Sequence, residues 1–274
     1  MEKNYRMIHF PLIFSNQKVQ ANLDEFGTIR HITFFHGNYL MESKPGVWVA
    51  KDFVQEHQLS ISVKWNGQTE KLCEHTKYVE TDLAENLFPR CRHYFPWGEV
   101  TILATAPITA KGERLSCLLY EVTVKNKGRE AAEMTVCLPA LYEKKYSDTR
   151  NVLMITAESG TYQDVSFTLQ PMEQKRVSLL FGDPNRYQDI EMFLSKDTDF
   201  WMEQTLQYFQ SLTGELKMEE DAMAGMLLQR AYQQAFGAFA MSGENEILVP
   251  TGERIRSHHM YGIKTCTTPV CRLH

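Results

Sequence analysis

Long apolar runs are missing. No stretch of the 274 residues approaches the ~20 consecutive apolar residues of a membrane span. The opening from Met1 to His9 has neither an apolar h-region nor a small-residue cleavage site. A chain of this kind is expected in the cytoplasm, with no membrane partner. Runs of one charge are missing too. Lys and Arg number 29 against 34 Asp and Glu, a net charge of −5, so the electrostatic footprint that a phosphate backbone requires is absent and no nucleic-acid partner is expected. Gly-rich phosphate loops, a Gly-x-Ser-x-Gly elbow and a His-Glu-x-x-His helix are all lacking, which removes the motif-borne routes to nucleotide, serine-hydrolase and zinc-protease chemistry. No cofactor is expected.

Cysteine is scarce. Of the six, Cys91, Cys117 and Cys137 lie clearly in apolar, strand-like stretches and Cys73 less clearly so. In a reducing compartment these behave as small buried hydrophobes. What is present is the composition of a globular protein, 43% hydrophobic, 11% aromatic and 23% charged, enough to bury a sizeable core.

From the N-terminus to Phe181 the dominant period is two. Lys18 to Leu23, Gly27 to Phe35, Leu59 to Trp65, Val100 to Ala104, Leu118 to Lys125, Met134 to Leu138, Ser166 to Leu169 and Arg176 to Phe181 alternate or carry β-branched and aromatic residues. Turn signals separate them at Asp24 to Gly27, Asn66-Gly67, Asn126 to Gly128 and Ser159-Gly160. Asn-Gly between two strands favours a tight hairpin, because both residues tolerate positive φ. About a dozen short strands with no intervening helix predict a mainly β fold, a large antiparallel β-sandwich.

After Phe181 the period changes. Gly182-Asp-Pro184 breaks the last strand, and Asp197-Thr-Asp199 can cap a helix in which Phe200 to Leu212 carry apolar side chains at three- and four-residue spacing until Gly214. Glu219 to Ser242 is expected as a longer helix. Leu228, Tyr232, Ala235 and Phe239 share one face of it, widened by Met223, Met226, Leu227 and Phe236 into a packing stripe. Helices of this length cannot bury such stripes alone. They either fold back onto the sandwich or open a helical domain. The sandwich is therefore expected to be followed by two or three α-helices.

The segment Leu118 to Pro139, a strand, an Asn126-Lys-Gly128 turn and a second strand, followed by Leu169 to Phe181, resembles the core of the β-supersandwich. That domain precedes the (α/α)6 barrel of the glucoamylase-like, cellobiose-phosphorylase-like and bile-acid-β-glucosidase-like enzymes. The resemblance implies a supersandwich over residues 1–182, a linker helix and the first helices of an incomplete barrel over 183–248, and an irregular tail over 249–274. In those enzymes the chemistry is carried by carboxylates on barrel loops, one protonating the leaving oxygen and a second activating water or acting as nucleophile. The chain stops before such loops, so the resemblance assigns it no catalytic residue.

The tail breaks with the composition of everything before it. His258, His259, Cys266, Cys271 and His274 have the ligand types of a zinc clip, but Cys-x4-Cys exceeds the usual short knuckle and no second Cys pair exists, so no metal is expected. Read in a shifted frame, synonymous codons for Tyr261 to His274 permit a Trp-x-x-Asp, aromatic-rich peptide similar to an early barrel segment of the same families. The expectation is a tail out of frame from upstream of Tyr261.

Candidate binding residues lie in Phe88 to Glu99, where aromatics interleave with Arg90, Arg92 and His93 and end at Trp97. Sugars bind on aromatic faces with polar groups at the ring edge, so Arg90, Arg92, His93 and Trp97, with Trp48 in the other aromatic stretch, form the candidate substrate-binding set. The competing reading has alternate residues of one strand facing the core while the arginines face water. His9, His31, His36, His57 and His75 lack partner spacing, and nothing in the sequence pairs Glu143, Asp148 and Glu158. The expected function is the non-catalytic N-terminal portion of a glycoside hydrolase or phosphorylase, with a catalytic barrel as intramolecular partner and carbohydrate as ligand. The alternative is a self-contained carbohydrate-binding or adhesion-type sandwich.

Overall fold

Period-two patterning leaves each strand with one face to bury, and the chain solves this by stacking sheets. The computed structural model describes residues 12–34, 60–74, 78–85, 87–138, 153–157, 161–183, 186–213, 239–242 and 247–250. The strands are β1 (Leu12–Ser15), β2 (Val19–Leu23), β3 (Ile29–Phe34), β4 (Ser62–Trp65), β5 (Gln68–Lys71), β6 (Val79–Ala84), β7 (Phe88–Phe95), β8 (Gly98–Thr105) and β9 (Cys117–Asn126). They continue as β10 (Ala132–Cys137), β11 (Leu153–Thr156), β12 (Val165–Leu169) and β13 (Gln174–Gly182), and then come helices α1 (Tyr187–Leu194) and α2 (Thr198–Thr213). A last hairpin pairs β14 (Phe239–Ser242) with β15 (Ile247–Pro250).

The large sheet has the order β11-β13-β9-β8-β7-β6 and the small one β12-β10-β4-β5, while β1-β2-β3 form a third, all antiparallel. One core cluster joins their inner faces. Val19, Ala21 and Ile32 of the third sheet, Val63, Met134 and Val136 of the small sheet, and Val100, Ile102, Val122 and Leu179 of the large sheet are all buried within it. This is the antiparallel sandwich that the alternation predicts.

The Asn66-Gly67 turn joins β4 to β5 with φ of 46° and 83°, the primed-turn geometry whose twist matches the strands it connects. The Asn126 turn behaves differently. β9 belongs to the large sheet and β10 to the small one, so Asn126 to Gly128 begins an arch between sheets and not a hairpin.

Helices α1 and α2 cover part of the outer face of the large sheet. Ile190 and Phe193 of α1 and Trp201 of α2 pack on Cys117, Leu119 and Leu180, and Phe209 packs on Phe88 and Ile108. Asp197 caps α2 through the backbone N–H of Phe200 at 2.7 Å, as its place in the sequence implies. α1 was not expected; at eight residues it shows barely two turns of period. The helix expected through Ser242 is corrected at its C-terminal end. Phe239–Ser242 is a strand, because its backbone groups pair in register with Ile247–Pro250. The rest of that expected helix and the tail, with its histidines and cysteines, lie outside the described residues. Among the described residues no helix is long and apolar enough to cross a membrane.

Candidate functional site

Strand β7 carries the candidate residues, and its pleat divides them. Cys91 and His93 face the core, and the turn after the strand folds Trp97 inward as well, whereas Arg90, Arg92 and Tyr94 stand on the outer face. Arg90 and Arg92 are thus brought together, as are His93 and Trp97, but the sheet separates the two pairs. Trp48 lies outside the described residues.

The inner pair is structural. Asp24 organises the β2–β3 turn by accepting the N–H groups of Phe26 at 2.9 Å and Thr28 at 2.8 Å. The turn's next three carbonyls are each taken by a donor from the large sheet. Glu25 receives Thr81 Oγ1 at 2.9 Å and the Cys91 thiol at 3.3 Å, Phe26 receives His93 Nε2 at 2.9 Å, and Gly27 receives the Tyr120 hydroxyl at 2.5 Å. A carbonyl only accepts, so His93 carries its hydrogen on Nε2. Gly27 has φ of +74°, and a Cβ there would meet Ile102 Cδ1 at 2.7 Å, so the turn needs glycine both for its backbone and for its close approach.

Burial pushes the Cys91 thiol up to about 12, and burial likewise raises Tyr120. Neither supplies an anion near neutral pH, so the Cys91–His93 contact at 3.5 Å is no activated nucleophile. Trp97 ends an aromatic row. It stacks on Phe95 at 4.9 Å and on Trp65 of the small sheet at 6.0 Å, which closes one end of the sandwich.

The outer face is a hydrogen-bonded charge network. Arg90 grips Asp82 with two bonds of 2.7 Å, and Arg92 reaches the same carboxylate at 2.8 Å and Glu80 at 3.5 Å. Tyr94 donates its hydroxyl to Glu80 at 2.8 Å, and Lys127 holds Glu99 at 2.7 Å while lying over the Tyr94 ring. Burial alone would raise Asp82, but hydrogen bonds and charge from Arg90 and then Arg92 outweigh it and hold the carboxyl below its ordinary value. Glu99 follows the same pattern, with Lys127 and Thr101 prevailing over burial. Burial and the bond to Glu80 push Tyr94 up to about 12.

Further along the face, Arg176 bridges Glu121 of β9 at 3.4 Å and Asp199 in the first turn of α2. Burial raises Glu121 above its ordinary value. No local pattern announces this link, because its partners are 55 and 23 residues from Arg176. The same holds for Asp82 and Glu80, whose strand β6 alternates too weakly to be recognised before pairing shows it.

Among the described residues no group of three His, Cys, Asp or Glu side chains could hold a metal ion. Glu143, Asp148 and Glu158 lie outside the described residues. No family model matches this sequence, and no curated protein matches it either.

Proposed function

We propose that this chain is a non-catalytic β-sandwich portion of a carbohydrate-active enzyme, a glycoside hydrolase or phosphorylase, and that it buttresses a catalytic (α/α)6 barrel. The observation that carries this reading is the seating of α1 and α2 on the large sheet, with Trp201 and Phe209 buried at its outer face. Helices fixed on the sandwich would hold a following helical domain in a set orientation. The polar groups of the sandwich interior support the same role, since Cys91, His93 and Tyr120 are engaged with the β2–β3 turn. The cysteines Cys73, Cys91, Cys117 and Cys137 are free thiols, which accords with a cytoplasmic protein.

The test is an assay of the purified chain on a panel of α- and β-glucosides, with and without phosphate. Absence of turnover is expected, and turnover overturns the non-catalytic assignment.

The seating of α1 and α2 also favours a second reading, a self-contained carbohydrate-binding sandwich whose helices belong to its own domain. That protein would unfold as a monomer in one cooperative transition and leave a hydrophobic dye unbound. A supporting domain separated from its barrel would bind the dye and aggregate.

A further inference from the structure

The outer face of the large sheet is shared between two surfaces. α1 and α2 cover the end that carries Leu119 and Leu180. Across β6, β7 and β8, cross-strand pairing lines up Glu80 with Arg92 and Thr101, Asp82 with Arg90, and Tyr94 with Glu99. The charged side chains there, with Lys127, are 20% to 44% exposed.

The network contributes to stability, since a bidentate Arg–carboxylate pair that shares its carboxylate with a second arginine is the geometry in which partly exposed charges do stabilise, by about 1 kcal/mol per pair. The pairs balance, with Glu80, Asp82 and Glu99 against Arg90, Arg92 and Lys127, so the face has little net field to attract a polyanion or a polycation. What it offers is a fixed set of adjacent donors and acceptors. The two guanidinium groups are locked by one carboxylate, so ligand binding need not order them. Vicinal hydroxyls, each both donor and acceptor, match neighbouring guanidinium and carboxylate groups at hydrogen-bond spacing.

An aromatic stands at the margin. Tyr78 immediately precedes β6, and its carbonyl accepts the Tyr94 N–H at 3.0 Å. Its side chain is 76% exposed although its backbone sits at φ of +58°. A non-glycine residue there costs about 1–2 kcal/mol, and this side chain recovers little of it by burial. An exposed tyrosine ring, carried by a backbone that pairs with Tyr94, offers an apolar face of the kind on which the C–H side of a sugar ring packs.

We propose that Tyr78, Glu80, Asp82, Arg90, Arg92 and Tyr94 form a binding platform for a neutral, polyhydroxylated ligand, a short oligosaccharide. This deepens the carbohydrate reading above and rests on it for the choice of sugar over other polyols. It also differs from the candidate set read from sequence, because His93 and Trp97 are turned to the interior.

The experiment is titration of the full chain, by backbone amide NMR and calorimetry, with neutral gluco-, manno-, galacto- and xylo-oligosaccharides and with heparin. Binding of at least one neutral series is expected, with shifts centred on β6 and β7. Arg92→Ala and Tyr78→Ala should each weaken it about tenfold or more. Lys64→Ala, on the exposed outer face of the small sheet, should leave it unchanged. Tyr78→Ala touches only an exposed side chain, so it remains informative if Arg92→Ala fails to fold. No binding of any neutral series, binding of heparin alone, or neutral binding unmoved by both variants overturns the platform. The scaffold reading is judged separately, by turnover of glucosides, so the two can fail independently.

Discussion

The Asn126 carboxamide donates to the main-chain carbonyl of Leu169, 3.1 Å away, and so fastens the arch leaving β9 to the end of β12. The same group donates to Glu130 O at 2.8 Å, its oxygen accepts Gly128 N–H at 2.8 Å, and its backbone pairs with Met172 and Glu173. Both crossings between the sheets, β9 to β10 and β12 to β13, therefore meet at one buried side chain.

Asn126→Ala should destabilise the protein by about 2–3 kcal/mol, because several buried backbone groups lose partners at once. Urea unfolding measures it. Asn126→Asp should be nearly as damaging, since it removes the donor while keeping the acceptor; recovery of full stability by Asp would contradict the assignment.

Trp201 carries the docking of α2. It is buried, stacks on Phe193 at 5.7 Å and donates Nε1–H to the Phe193 carbonyl at 2.8 Å, joining the two helices. Trp201→Ala should cost about 3–5 kcal/mol. It should also release α2 first, seen as hydrogen exchange that rises in 187–213 more than in β9.

Carboxylates of opposite behaviour give a pH signature. Asp82, Glu99 and Asp199 titrate below their ordinary values of 3.8, 4.5 and 3.8, so their stabilisation is present above those values and is lost as pH falls through the lowered ones. Glu121 titrates above 4.5, so its contribution is full below that value and is lost as pH rises through the raised one. The deficit of Asp82→Asn relative to the parent should shrink on acidification below pH 3.8. The stability of Glu121→Gln relative to the parent should improve as pH rises from 4.5 toward neutral. Urea midpoints across pH decide both.

Thiol reactivity should follow burial. Cys91 and Cys117 are buried and their thiols raised by desolvation, whereas Cys73 and Cys137 are half-buried, Cys137 being raised by desolvation as well. Alkylation of the folded protein at pH 8, read peptide by peptide, should modify Cys73 and Cys137 before Cys91 and Cys117, which should react only on unfolding.

Much of the sandwich was legible because inner-face alternation is a local signal. Val100 to Ala104, Leu118 to Lys125 and Arg176 to Phe181 all lie within observed strands. Short or polar strands show little pattern of their own: Gln68–Lys71 is implied only by the Asn66-Gly67 turn before it, and Val79–Ala84 owes its existence to its partner. The Asn126 turn was recognisable as a turn, but whether it returns into the same sheet depends on pairings with β12 and β13 that local sequence does not encode. At the candidate site, sequence placed Arg90, Arg92, His93 and Trp97 together. The pleat and the turn after the strand separate them, and the acidic partners of the two arginines come from β6, which the sequence did not mark as a strand.

The central claim is that this sandwich serves a catalytic helical domain, and the coding DNA downstream of the His274 codon tests it most directly. The account predicts that one reading frame there continues into helical hairpins bearing paired carboxylates on their loops. A region without such a continuation in any frame would contradict it.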